Sequence, residues 1–136
     1  MSYKESNLSS DFCKYLRIKK PKELQHTFAL ELKCKHGKEK LHLIRDFRDQ
    51  QIPSLILSST KQLYHKISDL SVGLKPFDAF SLFKVDAYVA VCWYTPRKPK
   101  RLLFIPIERI QELLKNNQIT LTPEEAEEIS KYIFNI

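Results

Sequence analysis

From Thr27 to Lys33 apolar and polar positions alternate with period two. Phe28, Leu30 and Leu32 share one face of a strand, while Thr27, Ala29, Glu31 and Lys33 share the other. Upstream, Phe12, Tyr15 and Leu16 recur at helical spacing, which predicts a helix over residues 6–20 ended by Pro21, its outer face carrying Lys14, Arg17 and Lys20. "HGKEK" reads as a turn and "KLHLI" as a short strand. "FRDQQIPSLILSSTKQLYHKI" predicts a helix pair or one broken helix, with Pro53 at an early helical position. After a loop at "SDLSVGLKP", the runs "FDAFSLF" and "DAYVAVCWY" predict two strands of a hairpin through "KVD". "RLLFIPI" is a further strand, and Pro106 opens a helix over "IERIQELLKNN". Thr122, Pro123 and Glu125 form a capping-box pattern that starts a last helix over "EEAEEISKYIF". The sum is an α/β domain built on a mixed sheet flanked by helices.

A chain of 136 residues is expected to form one domain with a substantial core. Two glycines exclude a Walker loop or a dinucleotide-binding turn, and "HGKEK" lacks the spacing for either. The net charge of +7 suits an acidic partner. Its distribution sharpens this: residues 1–40 and 41–101 each hold ten Lys/Arg against five acids, whereas residues 102–136 hold three against six. A solvated lysine surface would give the same count. Cys13, Cys34 and Cys92 have no paired spacing, which fits a reduced, cytoplasmic setting. Neither a signal-peptide core nor an apolar run of about 18 residues occurs, so no membrane association is expected.

Glu-x-Lys on a strand has a chemical rationale in phosphodiester hydrolysis. A carboxylate can hold Mg²⁺, and a lysine two residues on faces the same way, where it can stabilise charge growing on phosphorus. Glu31 and Lys33 have this spacing, although a charged strand face would share it. One carboxylate holds Mg²⁺ poorly, and the best second acid is Asp78 in "LKPFDAFSL", at the start of a half-buried strand. The same Asp could instead cap the preceding loop.

With these residues the chain resembles the PD-(D/E)xK nuclease superfamily, in particular its small Holliday-junction-resolvase-like members. The resemblance covers about residues 5–105 and is carried by "ESNLSSDFCKYL", "FALELK", "FRDQQIPSLI" and a later basic strand edge. It implies a restriction-endonuclease-like core of about 5–105 with a C-terminal helical extension over 106–136. It also implies a Mg²⁺- or Mn²⁺-dependent endonuclease acting on branched or structured DNA in recombination or repair, working as a homodimer. Glu31 and Lys33 match the family's Glu-x-Lys. Glu5 matches the first-helix acid, with Asp11 as its competitor, and Gln51 or Gln50 matches the glutamine of the following helix. The metal ligands would then be Glu31, Asp78 and Glu5. The family's Pro-Asp acid has no counterpart just upstream, where Glu23 is the only acid in residues 19–27; Asp78 would take its place from a neighbouring strand.

Lys35, Lys38 and Lys40 crowd the turn after Lys33, Lys75 precedes Asp78, and Arg97, Lys98, Lys100 and Arg101 crowd a second turn. These are the candidate phosphate contacts. Tyr88, Trp93, Tyr94 and Phe104 alternate within strands and read mostly as core. The four histidines lack zinc spacing, although His36 beside the lysine turn could touch phosphate. Two other functions stay open at this stage. One is a catalytically inactive nuclease-fold module that binds nucleic acid or mediates assembly. The other is an interaction domain using the acidic helix with Glu124, Glu125, Glu127 and Glu128.

Overall fold

The computed structural model describes residues 2–66 and 79–136. The first helix, α1 (Glu5–Lys19), starts where Asn7 Oδ1 accepts the Lys4 backbone N–H at 2.9 Å. It ends as Lys20 turns left-handed (φ 45) ahead of Pro21, which cannot continue a helix. A single 3-10 turn at Lys22–Leu24 leads into β1 (Phe28–His36). Then follow β2 (Leu41–His42), α2 (Gln51–Thr60), β3 (Gln62–Lys66), β4 (Ala79–Phe83), β5 (Asp86–Tyr94) and β6 (Arg101–Pro106). The chain closes with α3 (Ile107–Lys115), β7 (Thr120–Leu121), α4 (Pro123–Ile129) and β8 (Tyr132–Asn135).

Four strands form the central sheet in the order β1–β5–β6–β8. β1 and β5 run parallel in a register that sets Glu31 beside Val89 and Lys33 beside Val91, while β5–β6 and β6–β8 are antiparallel. β5 alternates strictly. Tyr88, Ala90 and Cys92 face α1, where Leu8 and Phe12 are buried with Phe104 and Phe134. Ala87, Val89 and Val91 face the opposite layer, where Ile52 and Leu55 of α2, Ile110 of α3 and Ala126 of α4 close the core. With both faces covered, β5 is apolar along most of its length, as a strand inside a helix-flanked sheet must be. The fold is therefore mixed α/β with a mixed parallel and antiparallel central sheet between helical layers.

Several local expectations hold. The Thr122 hydroxyl accepts the Glu125 N–H at 3.1 Å, and the Glu125 carboxylate accepts the Thr122 N–H at 3.0 Å, a reciprocal cap that starts α4 at Pro123. Four expectations are corrected, three of them because a contact distant in sequence outweighs a local pattern. "DAYVAVCWY" does not form a hairpin with "FDAFSLF": β5 pairs with β1 and β6, and β4 pairs with β3 in a separate two-stranded sheet. The predicted second helix of "FRDQQIPSLILSSTKQLYHKI" is β3, since α2 stops at Thr60 and Gln62–Lys66 takes β4 as its partner. The last helix stops at Ile129, and Tyr132–Asn135 becomes the outer strand of the central sheet, so the C-terminal segment is built into the core rather than appended to it. "KLHLI" shrinks to the two residues of β2, paired with β7. The loop read at "SDLSVGLKP" lies outside the described residues.

Candidate active site

Among the described residues β1 is an outer strand of its sheet, with a neighbour on one side only. Its Phe28, Leu30, Leu32 and Cys34 pack towards the α1 layer, so period two turns Glu31 and Lys33 towards α2. The α2 helix begins at Gln51, and there the backbone folds Gln51 back: its Oε1 accepts the Arg48 backbone N–H at 2.9 Å. The same oxygen accepts from Lys33 Nζ at 3.0 Å, and Gln51 Nε2 donates to Glu31 Oε1 at 2.9 Å. One carboxamide thus holds both members of the Glu-x-Lys pair.

Lys33 is only 7 % exposed, an uncommon state for a lysine. Its ammonium stands 3.7 Å from Glu31 Oε1, 3.8 Å from Glu5 Oε1 at the start of α1, and 4.8 Å from the Phe47 ring centroid. A buried cation is tolerable when it is paired and hydrogen-bonded, and this one is surrounded by two carboxylates, an amide oxygen and an aromatic face. Glu5 reaches Lys33 from the α1 side and Gln51 from the α2 side, so the site straddles the edge of the sheet.

Burial raises the Glu31 carboxyl above the ordinary carboxylate range; the Lys33 charge opposes the rise and the Glu5 charge adds to it. The folded protein therefore holds this proton more tightly than the unfolded chain. The stabilisation it brings is complete below the usual glutamate pKa, about 4.3, and is lost as pH rises through the raised value. Thermal melts should accordingly show the Glu31→Gln variant gaining on the wild type as pH rises from the usual glutamate pKa, about 4.3, through the raised value. A difference in melting temperature that stayed flat across that range would contradict this balance.

Of the sequence-derived candidates, Glu31, Lys33, Gln51 and Glu5 come together. Asp11 does not join them: it accepts from Lys100 Nζ at 2.8 Å and from the Tyr3 hydroxyl at 2.6 Å, and these bonds hold its carboxyl low. Gln50 stands at the N-cap position of α2 without a side-chain capping bond and, with Glu31 and Gln51, borders a cleft of about 630 Å³ also lined by Ala29, Ser54 and Leu55. Glu23 lies in the 3-10 turn. Asp78 and Lys75 lie outside the described residues. Lys35 pairs with Asp46 at 3.0 Å and Arg101 with Glu127 at 3.0 Å, so with Lys100 three of the candidate phosphate contacts already have acidic partners. Lys38, Lys40, Arg97 and Lys98 are exposed. Tyr88 and Phe104 are buried, whereas Trp93 and Tyr94 are half-buried.

Sequence reasoning missed Phe47 and the Arg48 amide, which respectively cover Lys33 and fix Gln51. Their position just before Gln51 in "FRDQQ" was the available signal. The two carboxylates, Glu31 and Glu5, are oxygen donors of the kind Mg²⁺ or Mn²⁺ prefers, while the Gln51 oxygen is already taken by Lys33 and Arg48. Among the described residues no three His, Cys, Asp or Glu side chains converge on one point. Nor is any helix there long and apolar enough to cross a membrane. Comparison with protein-family models, with curated proteins and with solved structures finds no match to this chain.

Proposed function

We propose that the protein is a divalent-cation-dependent endonuclease that hydrolyses phosphodiester bonds in branched or structured DNA, with a restriction-endonuclease-like core of the PD-(D/E)xK type. The observation that carries this reading is the buried Lys33 ammonium, held by Gln51 within 4 Å of the carboxylates of Glu31 on β1 and Glu5 on α1. Glu31 and Glu5 would hold Mg²⁺ or Mn²⁺, with Asp78 as the proposed third ligand. The bound cation supplies Lewis-acid polarisation of a phosphate and lowers the pKa of water.

The chain's own residues account for the rest. Glu31 has to be ionised to hold the cation, so binding of Mg²⁺ or Mn²⁺ would release the proton that burial favours. The Lys33 ammonium meets the negative charge that develops when water adds to phosphorus and the bond to the leaving oxygen breaks. Sheltered by Phe47, it acts where water screens it least. Gln51 fixes the distance between the two and limits the motion of both side chains. Lys38, Lys40, Arg97 and Lys98 would contact the phosphate backbone. A two-fold symmetric junction substrate calls for a homodimer, which belongs to the same proposal.

The test is incubation of the protein with end-labelled four-way junctions, flaps and linear duplexes in Mg²⁺ or Mn²⁺, with EDTA as the control. Metal-dependent cutting of the branched substrates is expected; inactivity across the whole panel would sink the reading. A second reading is a nuclease-fold module that binds nucleic acid without cutting. It draws on Glu31 being already engaged by Gln51 and Lys33, and it predicts salt-sensitive binding indifferent to EDTA and to Glu31→Ala.

A further inference from the structure

At the far end of β1 and β5 lies a second concavity of about 400 Å³, lined by Tyr3, His36, Gly37, Tyr94, Thr95 and Pro96 among others. Two turns build it. The Gly37 N–H donates to the Tyr94 carbonyl at 2.9 Å, tying the turn after β1 to the end of β5, and the Lys98 N–H closes the other turn on the Thr95 carbonyl at 3.2 Å. Gly37 (φ 59) and Arg97 (φ 65) are both left-handed, so each turn reverses sharply at the rim.

Its lining is aromatic. Tyr3 and Tyr94 stack on each other at 4.4 Å between centroids with 12° between planes, and Lys100 Nζ stands 5.3 Å over the Tyr3 ring, so this pair is a fixed wall and the ring left open to a ligand is that of His36. His36 stands at 82° to Tyr94, so the two rings do not stack on each other, and His36 is exposed. The next residue after Gly37 is Lys38, and the next two after Pro96 are Arg97 and Lys98. All three are exposed, and none takes part in an ion pair among the described residues. The three cations neighbour the lining residues in sequence, and Glu39, whose carboxylate accepts the His36 N–H at 2.9 Å, is an acid beside them. A pocket with exposed His36 and a cationic excess nearby is complementary to a planar base carried on an anionic backbone.

We propose that this pocket receives an unpaired nucleobase of a single-stranded DNA segment, while Lys38, Arg97 and Lys98 hold the flanking phosphates. The inference rests on the reading of the protein as one that acts on DNA, and adds that part of the substrate is unpaired. His36 lies three residues beyond Lys33, about 10 Å along the strand, or roughly three nucleotides at the rise of a stacked strand. Side-chain parity puts His36 on the sheet face opposite Lys33. Both residues lie on β1, the outer strand of the sheet among the described residues.

The test is fluorescence anisotropy in EDTA, with a labelled oligothymidylate, a matched duplex and an abasic oligomer as probes. The proteins are the wild type, His36→Ala and Tyr94→Leu, each checked by thermal melting. His36→Ala removes an exposed ring and leaves the bond from the His36 backbone N–H to the Glu39 carboxylate intact, so it should fold normally. It should weaken oligothymidylate binding about fivefold or more and duplex binding by less than about twofold. The wild type should bind the abasic oligomer more weakly than oligothymidylate. Equal wild-type binding of those two, or His36→Ala binding oligothymidylate as the wild type does, would overturn the proposal. Base-dependent binding without cleavage would support the pocket and count against the Glu31 site. Cleavage with base-indifferent binding would count against the pocket alone.

Discussion

Replacing Lys33 by methionine should lower cleavage of branched DNA by on the order of 10²- to 10³-fold, the cost of removing one preorganised charge from a reacting centre. Methionine keeps the length and apolar stem that pack against Phe47, so the loss reports the ammonium and not a cavity. The variant also leaves Glu31 and Glu5 without their shared cation. Because both carboxylates are partly exposed, at 26 % and 53 % of their side chains, the stability cost should be about 1–2 kcal/mol, below that of breaking a fully buried pair. Single-turnover rates with labelled junction DNA, alongside denaturant unfolding, separate the two effects. A Lys33→Met variant that cuts at the wild-type rate would reduce Lys33 to a structural cation.

The largest effect on stability belongs to Phe104→Ala. Phe104 is fully buried at the centre of the aromatic layer, with ring centroids of Phe134 and Tyr88 at 5.3 Å, Phe12 at 5.8 Å and Phe28 at 6.3 Å. Truncation would leave a cavity shared by α1, β1, β5 and β8, whose rings cannot all move in to fill it. The expected loss is about 3–5 kcal/mol, which for a domain of this size lowers the melting temperature by roughly 10–20 °C. Phe83, 61 % exposed on β4, is the control: Phe83→Ala should change stability by no more than about 0.5 kcal/mol. Similar melting shifts for the two variants would contradict the placement of the core.

What could be read from the sequence was what local chemistry decides. The period of "TFALELK" put Glu31 and Lys33 on one face, Pro21 ended α1, and the Thr122–Glu125 box started α4. The glutamine of "FRDQQ" and the acid at the first helix were legible as residue types, and Gln51 and Glu5 stand beside Lys33. Partners far apart in sequence could not be read. β5 reaches back more than fifty residues to pair with β1, and nothing local in "DAYVAVCWY" distinguishes that from a hairpin with its predecessor. Tyr132–Asn135 carries a helical-looking pattern, yet pairing with β6 satisfies its backbone and buries Phe134. Charge was misleading for a related reason. Lys35, Lys100 and Arg101 look like free cations until Asp46, Asp11 and Glu127 arrive from 11, 89 and 26 residues away.

If the Glu31–Lys33–Gln51–Glu5 cluster cuts DNA, Glu31→Gln should abolish the cutting. The substitution keeps the side chain's size and its contact with Gln51 while removing the carboxylate. Wild type and variant should be compared under single turnover on one labelled four-way junction in Mg²⁺, with binding measured in parallel in EDTA. The predicted result is metal-dependent cutting by the wild type and no cutting above background by Glu31→Gln, with both proteins binding the junction equally. Cutting by the variant at the wild-type rate would contradict it.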